Sequence, residues 1–314
     1  MREIVLIPCD GWKLHGLVHV PLQPADRRVG VILFHENQNT KFGAHRLFKR
    51  LGDALAQAGF YALRYDDRGN CDSPGICELT IAHRLADARA AVAYFRAQYS
   101  LDVVVGWGLC LGAAVAVSCG AEPRNAQEKL DALILCNILA DPARVSRPEW
   151  GYQKTNLPQV AKDVFFRGNF LRKILNAHRN LSAHRTKLRI LAARYLRRQP
   201  RELVRLRKAI GRVGKFLQAY QGPSLMIFSE KDTYLTEFVE RVNPGDKLGL
   251  NQKAQPPAWI YVKNADHMFA SGEKTAELTQ YTLEWLEAFR EGRPLGGVSM
   301  MPEAPEGVSM AELV

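Results

Sequence analysis

The chain has 314 residues, 47% hydrophobic and 24% charged, with a formal net charge of +11. That length and apolar content suit a globular chain with a large core and argue against a fibrous or disordered one. No apolar run approaches the ~18 residues of a membrane span, which excludes a helical membrane protein.

The chain opens Met1-Arg2-Glu3-Ile4-Val5, which reads as a strand rather than a signal peptide, so the expected location is the cytoplasm. Six cysteines (Cys9, Cys71, Cys77, Cys110, Cys119, Cys136) form no C-x-x-C pair and have no companion histidine cluster. Neither a zinc site nor a disulfide framework is expected, and no cofactor motif is present.

In chain order, residues 3–8 and 13–20 read as an antiparallel strand pair around the turn chemistry of Cys9-Asp10-Gly11. A buried strand follows at 29–34, then a helix at 45–58 with leucines and alanines on one face, then a strand at 60–65. The loop from Asp66 to Gly75 is rich in turn residues and leads to a long helix at 81–98. Further strands are expected at 103–109, 132–136, 224–228 and 259–262, and a last amphipathic helix closes at Phe289. This alternation implies a mostly parallel, doubly wound α/β sheet with its chemistry at the strand carboxyl ends.

Two segments stand apart. Residues 141–220 are too long for a crossover and read as a helical insertion, with 20 Lys and Arg against 4 Asp and Glu, a local net of +16 that leaves the rest of the chain at −5. Residues 291–314, where Gly297-Val298-Ser299-Met300 recurs as Gly307-Val308-Ser309-Met310, read as a disordered tail. The expected organisation is therefore a core at 1–140 and 221–290, the basic insertion between them, and the tail.

The chemistry concentrates after the strand at 103–109. Gly108-Leu109-Cys110-Leu111-Gly112 is a G-x-C-x-G turn feeding a small-residue helix, which puts Cys110 on a sharp bend above the sheet. The Leu111 amide then lies at a helix N-terminus, suited to a thiolate or a tetrahedral oxyanion. Downstream, Asp232 follows the strand at 224–228 and His267 follows the strand at 259–262. An imidazole must take the thiol proton and return one to the leaving group, and a carboxylate must fix that imidazole's tautomer. Cys110, Asp232 and His267 are the expected nucleophile, orienting acid and base. Asp266 is the weaker orienter, because a side chain rarely folds back onto its sequence neighbour.

A second oxyanion donor is expected after the strand at 29–34, from the backbone amide of Glu36 or Asn37. The Glu36 carboxylate also suits a modulator of the thiol, since a nearby negative charge would hold it protonated until substrate arrives. His35 reads as ordinary loop polarity. The basic run Arg194, Arg197, Arg198, Arg201, Arg205, Arg207 and Lys208 is either a solvated helix face or suited to an anionic partner. The candidates are a coenzyme A or phosphopantetheine thioester, an acidic carrier protein or an anionic membrane surface. Nucleic acid is the weakest of these, because no recognition motif accompanies the charge.

Nucleophile, acid and histidine in this order resemble an α/β-hydrolase, and the insertion lies where that fold carries a lid. The elbow, Ser229-Glu230-Lys231-Asp232, Ala265-Asp266-His267-Met268-Phe269, Arg64-Tyr65-Asp66-Asp67-Arg68-Gly69 and Gly43-Ala44-His45-Arg46-Leu47-Phe48 together resemble the hydrolases associated with the exosortase A system. The Gly-Leu-Cys-Leu-Gly box is also similar to dienelactone hydrolases and polyhydroxyalkanoate synthases, which use a cysteine nucleophile. The resemblance implies acyl hydrolysis or transfer. The residues themselves point to hydrolysis of an ester or thioester in a small-molecule acyl substrate, with transfer to an alcohol, amine or saccharide acceptor as the alternative. A non-catalytic binding protein acting through its basic insertion is the alternative from another class.

Overall fold

The computed structural model describes residues 1–36, 40–75, 81–145 and 201–294. Its frame is one eight-stranded sheet: β1 (Arg2–Cys9), β2 (Trp12–His19), β3 (Val29–Phe34), β4 (Tyr61–Tyr65), β5 (Val103–Leu109), β6 (Ala132–Cys136), β7 (Ser224–Ser229) and β8 (Ala258–Val262). The spatial order is β1-β2-β4-β3-β5-β6-β7-β8, with β1, β2 and β4 antiparallel neighbours and the rest parallel. This is the mostly parallel, doubly wound α/β sheet expected from the sequence. The central strands are continuous apolar runs because both faces are covered by helices, and every residue of β3, β4, β5 and β6 is buried.

Helices α1 (Leu47–Gln57), α2 (Ile81–Gln98) and α3 (Leu111–Ala121) alternate with these strands. After β6 come α4 (Pro142–Val145), α5 (Arg201–Ile210) and α6 (Val213–Ala219), after β7 the single turn α7 (Tyr234–Glu237), and last α8 (Gly272–Glu291). Trp107 of β5 is fully buried, packs edge-on to Phe48 of α1 at 5.6 Å and donates its indole N–H to Thr282 of α8 at 3.2 Å. Helix α6 packs on α3 through buried Val213 and Leu217. Among the described residues no helix is long and apolar enough to cross a membrane.

One local expectation needs correction. The helix read from residue 45 begins at Leu47, because His45 (φ 51°) and Arg46 (φ 62°) are left-handed and lie in the short 3₁₀ turn Ala44–Arg46. Helical periodicity in the side chains does not reveal that a tight turn precedes the helix; here the Phe48 amide reaches back to the Phe42 carbonyl. Of the insertion expected at 141–220, residues 146–200 lie outside the described residues, as do the basic residues Arg194, Arg197 and Arg198, the part of the expected tail from 295, and Asn37. Of the described part, Arg205, Arg207 and Lys208 face outward on α5 while Leu206 and Ile210 are buried.

Candidate active site

Cys110 lies between the end of β5 and the start of α3 with φ 56° and ψ −116°, a strained conformation for a residue with a side chain. The elbow is held on both sides. The Cys110 amide donates to the Cys136 carbonyl at 2.9 Å, and the Cys110 carbonyl accepts from Leu139 at 3.2 Å and from Ala114 at 3.3 Å. Glycine is required by space. A Cβ on Gly108 would stand 2.6 Å from the Ala113 backbone, and one on Gly112 would stand 2.6 Å from the Phe34 carbonyl carbon and 2.8 Å from the His35 carbonyl oxygen. The first turn of α3 thus lies directly against the end of β3. No side chain caps that turn, so the Leu111 amide belongs to the helix-terminal donors without an intrahelical acceptor.

The structure brings the three residues read from sequence to one place. His267 pairs through Nδ1 with the Asp232 carboxylate, which leaves Nε2 for the Cys110 side. Burial pushes the imidazole down, but the Cys110 charge, the hydrogen bonds to Asp232 and Cys110, and the Asp232 charge more than reverse this and raise it from 6.5 to about 10. Asp266 is engaged elsewhere, its carboxylate accepting from the amides of Met268 at 3.1 Å and Ala270 at 2.9 Å.

Two loops carry the acid and the histidine, and they are tied together. Lys231 donates its amide to the Ala265 carbonyl at 2.8 Å, and Asn264 donates to the Glu230 carboxylate at 2.7 Å. Asn137, left-handed at φ 41° after β6, donates through Nδ2 to Ser229 Oγ at 2.9 Å and to the His267 carbonyl at 3.0 Å. Its Oδ1 accepts the Ser229 amide at 2.9 Å. One buried amide therefore fastens the histidine loop to the end of β7. Sequence reading missed it, and the only available signal was an asparagine immediately after a buried strand.

Tyr234 was missed as well. Its hydroxyl is 3.1 Å from Cys110 Sγ, and its ring stacks on the His267 imidazole with centroids 4.5 Å apart and planes inclined by 27°. Its position two residues after Asp232 was visible in the sequence, but stacking on a residue 33 positions later was not.

On the β3 side, His35 and Glu36 are buried. His35 is a structural residue: its Nδ1 meets the Glu36 carbonyl at 2.9 Å and its Nε2 lies 3.3 Å from Asp67. Arg84 of α2 donates to the His35 carbonyl at 2.6 Å and pairs with Asp67 at 2.7 Å. The Arg64 to Gly69 segment continues this support, with Arg68 paired to Asp87 at 2.6 Å and Asp66 accepting the Lys41 amide at 2.7 Å. Glu36 thus sits on a loop clamped from beneath.

Among the described residues, Asp66, Cys71 and Asp72 offer ligand atoms within 4.8 Å of one another. Lys41 already pairs with both carboxylates, at 2.6 Å for Asp72, and offsets one of their two charges. Cys119 and Cys136 are fully buried, which pushes the Cys119 thiol up to about 12 and the Cys136 thiol well above its ordinary value.

A sheet of this order, with an elbow after β5 and an acid and a histidine after the last two strands, defines a hydrolase-type α/β protein. The sequence pattern of the α/β-hydrolase fold family matches residues 39–269, and the chain belongs to that family. No curated protein matches it by sequence. Among solved structures it is similar to Est1E from Butyrivibrio proteoclasticus with ferulic acid bound (16% identity, TM-score 0.61, 92% of this chain and 100% of that one). It is also similar to an esterase of Pyrococcus furiosus (16%, TM-score 0.57, 91% and 90%). A third is a dienelactone hydrolase from Anabaena variabilis (13%, TM-score 0.56, 91% and 97%).

Proposed function

We propose that the protein hydrolyses ester or thioester bonds through a Cys110–His267–Asp232 triad and a covalent acyl-enzyme. The observation that carries this reading is the strained elbow cysteine within reach of an imidazole whose other nitrogen is held by Asp232. In the reactive form of the site the proton resides on His267 and the negative charge on sulfur. The thiolate attacks the carbonyl carbon, a C–S bond forms, and the carbonyl electrons move to oxygen. The amides of Leu111 and of Glu36 or Asn37 receive that oxyanion. Collapse expels the alkoxide or thiolate, which takes the His267 proton.

The timing follows from the electrostatics. The Cys110 charge is the foremost contribution holding the proton on His267, and it disappears when the C–S bond forms. The imidazolium becomes a stronger acid at the step that needs one. Water, deprotonated by the now neutral His267, then attacks the thioester and releases the acid.

Glu36 has a second role in this reading, as a carboxylate near the thiol that disfavours the charged sulfur before substrate binds. The outward cationic face of Arg205, Arg207 and Lys208 supports an anionic acyl donor, of the coenzyme A or carrier-bound type, or docking on an anionic surface. In this reading the enzyme is cytoplasmic and related to the exosortase-associated hydrolases.

The test is intact-mass analysis after brief exposure to p-nitrophenyl butyrate and to butyryl-coenzyme A, for wild type, Cys110→Ala and His267→Ala. An acyl adduct or turnover present only in wild type supports the reading. Adding alcohol or saccharide acceptors then separates hydrolysis from transfer. Identical behaviour of all three proteins would overturn it.

A further inference from the structure

The phenol of Tyr234 touches both partners of the proton transfer. Its oxygen is 3.1 Å from Cys110 Sγ, and its ring lies along the His267 imidazole at 4.5 Å. The side chain is buried, so the contact is shielded from water. It begins α7, the turn that directly follows Asp232, so one short loop supplies both the carboxylate and the phenol.

The direction of the hydrogen bond follows from the charge state. A thiol can donate or accept, but a thiolate has no proton and can only accept. With the proton on His267, the Tyr234 O–H must be the donor, and a bond to an ionised acceptor is roughly twice as strong as a neutral one. The ring face against the imidazolium adds a cation–π contact on the other partner.

We propose that Tyr234 is a catalytic residue of this site, its phenol donating to the Cys110 thiolate and its ring stacking on the His267 imidazolium, so that one side chain stabilises the whole ion pair. The proposal rests on the thiol chemistry proposed above. No proton leaves Tyr234 during the reaction. When the sulfur lone pair becomes the C–S bond, the charge moves to the carbonyl oxygen and the phenol keeps its hydrogen while losing its charged acceptor. Tyr234 therefore increases the fraction of thiolate at low pH while making each thiolate less nucleophilic.

That trade has a signature. Nucleophilicity falls with thiol basicity with a Brønsted coefficient of about 0.4–0.5. For each tenfold loss of ionisation in Tyr234→Phe, alkylation by iodoacetamide should slow about threefold at low pH, where ionisation limits the rate. It should speed up about threefold at high pH, where all the sulfur is ionised. The wild-type and Tyr234→Phe profiles should cross. A purely structural role would lower the variant's curve at every pH.

The experiment measures iodoacetamide rates from pH 5 to pH 10, with peptide mapping to confirm alkylation of Cys110. A second form carries 3-fluorotyrosine at position 234. Its stronger donor should shift the profile the opposite way, and it preserves the packing where phenylalanine does not. Crossing curves displaced in opposite directions support the proposal. Superimposed or parallel curves overturn it. If mapping or the Cys110→Ala and His267→Ala variants show that alkylation and acylation do not depend on the pair, the underlying reading fails instead.

Discussion

Gly112 and Phe34 meet without room for a methyl group: a Cβ on Gly112 would stand 2.6 Å from the Phe34 carbonyl carbon. This contact presses the first turn of α3 against the end of β3 and the His35 carbonyl that follows it. Because the obstruction is backbone, it cannot rotate away. Gly112→Ala should destabilise the protein by more than the roughly 1–3 kcal/mol typical of overpacking, and displace the elbow. Thermal unfolding, followed by Cys110 alkylation in whatever remains folded, checks both effects. A variant with wild-type unfolding and alkylation would contradict the contact.

The state of His267 makes stability depend on pH. The fold raises the imidazole from 6.5 to about 10, so the folded state favours the protonated form. That contribution is fully present below about pH 6.5 and is lost as pH rises through about 10. Wild type should therefore be more stable relative to His267→Gln at pH 6 than at pH 10. Urea unfolding of both proteins across that window measures the difference. A gap that stays constant or widens with pH would have the wrong sign.

Removing the sulfur charge should release the imidazole. In Cys110→Ala the foremost contribution raising His267 is absent, so its titration midpoint should fall well below about 10 while the Asp232 pairing persists. Ring-proton NMR of the two proteins reads this directly. An unchanged midpoint would mean that Asp232 alone holds the proton.

Asn137 fastens the histidine loop to β7 through three hydrogen bonds. Asn137→Ala leaves buried partners unsatisfied and should cost about 1–3 kcal/mol. In the proposed reaction it should lower kcat by about 10–100-fold with little change in KM, because a misplaced base weakens chemistry more than binding. Equal kcat for wild type and Asn137→Ala at saturating substrate would mean that other contacts hold the loop.

Arg84 connects α2 to the β3 loop, donating to the His35 carbonyl at 2.6 Å and pairing with Asp67 at 2.7 Å. Arg84→Met leaves Asp67 beside His35 without its guanidinium, and breaking a buried pair in this way typically costs about 3–5 kcal/mol. Denaturant unfolding gives the loss, and restoring neutrality with Asp67→Asn in the same chain should recover part of it. No recovery would mean that the His35 carbonyl contact, not the ion pair, carries the effect.

Much of this molecule was legible because its signals are local. The runs Val29–Phe34 and Val103–Leu109 are apolar throughout because both faces of the sheet are covered, and the glycines around Cys110 mark a turn that tolerates no side chain. The start of α1 was misread because left-handed His45 and Arg46 leave no trace in hydrophobic periodicity.

What the sequence determined by itself is the chain order of strands and helices, the elbow, and the nomination of Cys110, Asp232 and His267 as the candidate triad, since each follows from residue type and its place after a strand. Only the tertiary structure decided which groups meet: Asn137 as the fastening of the histidine loop, Arg84 beneath His35, and Tyr234 across sulfur and imidazole. Those contacts join residues far apart in the chain, and side-chain direction in loops is set by hydrogen bonds and packing that form only once the sheet has brought the strand ends together.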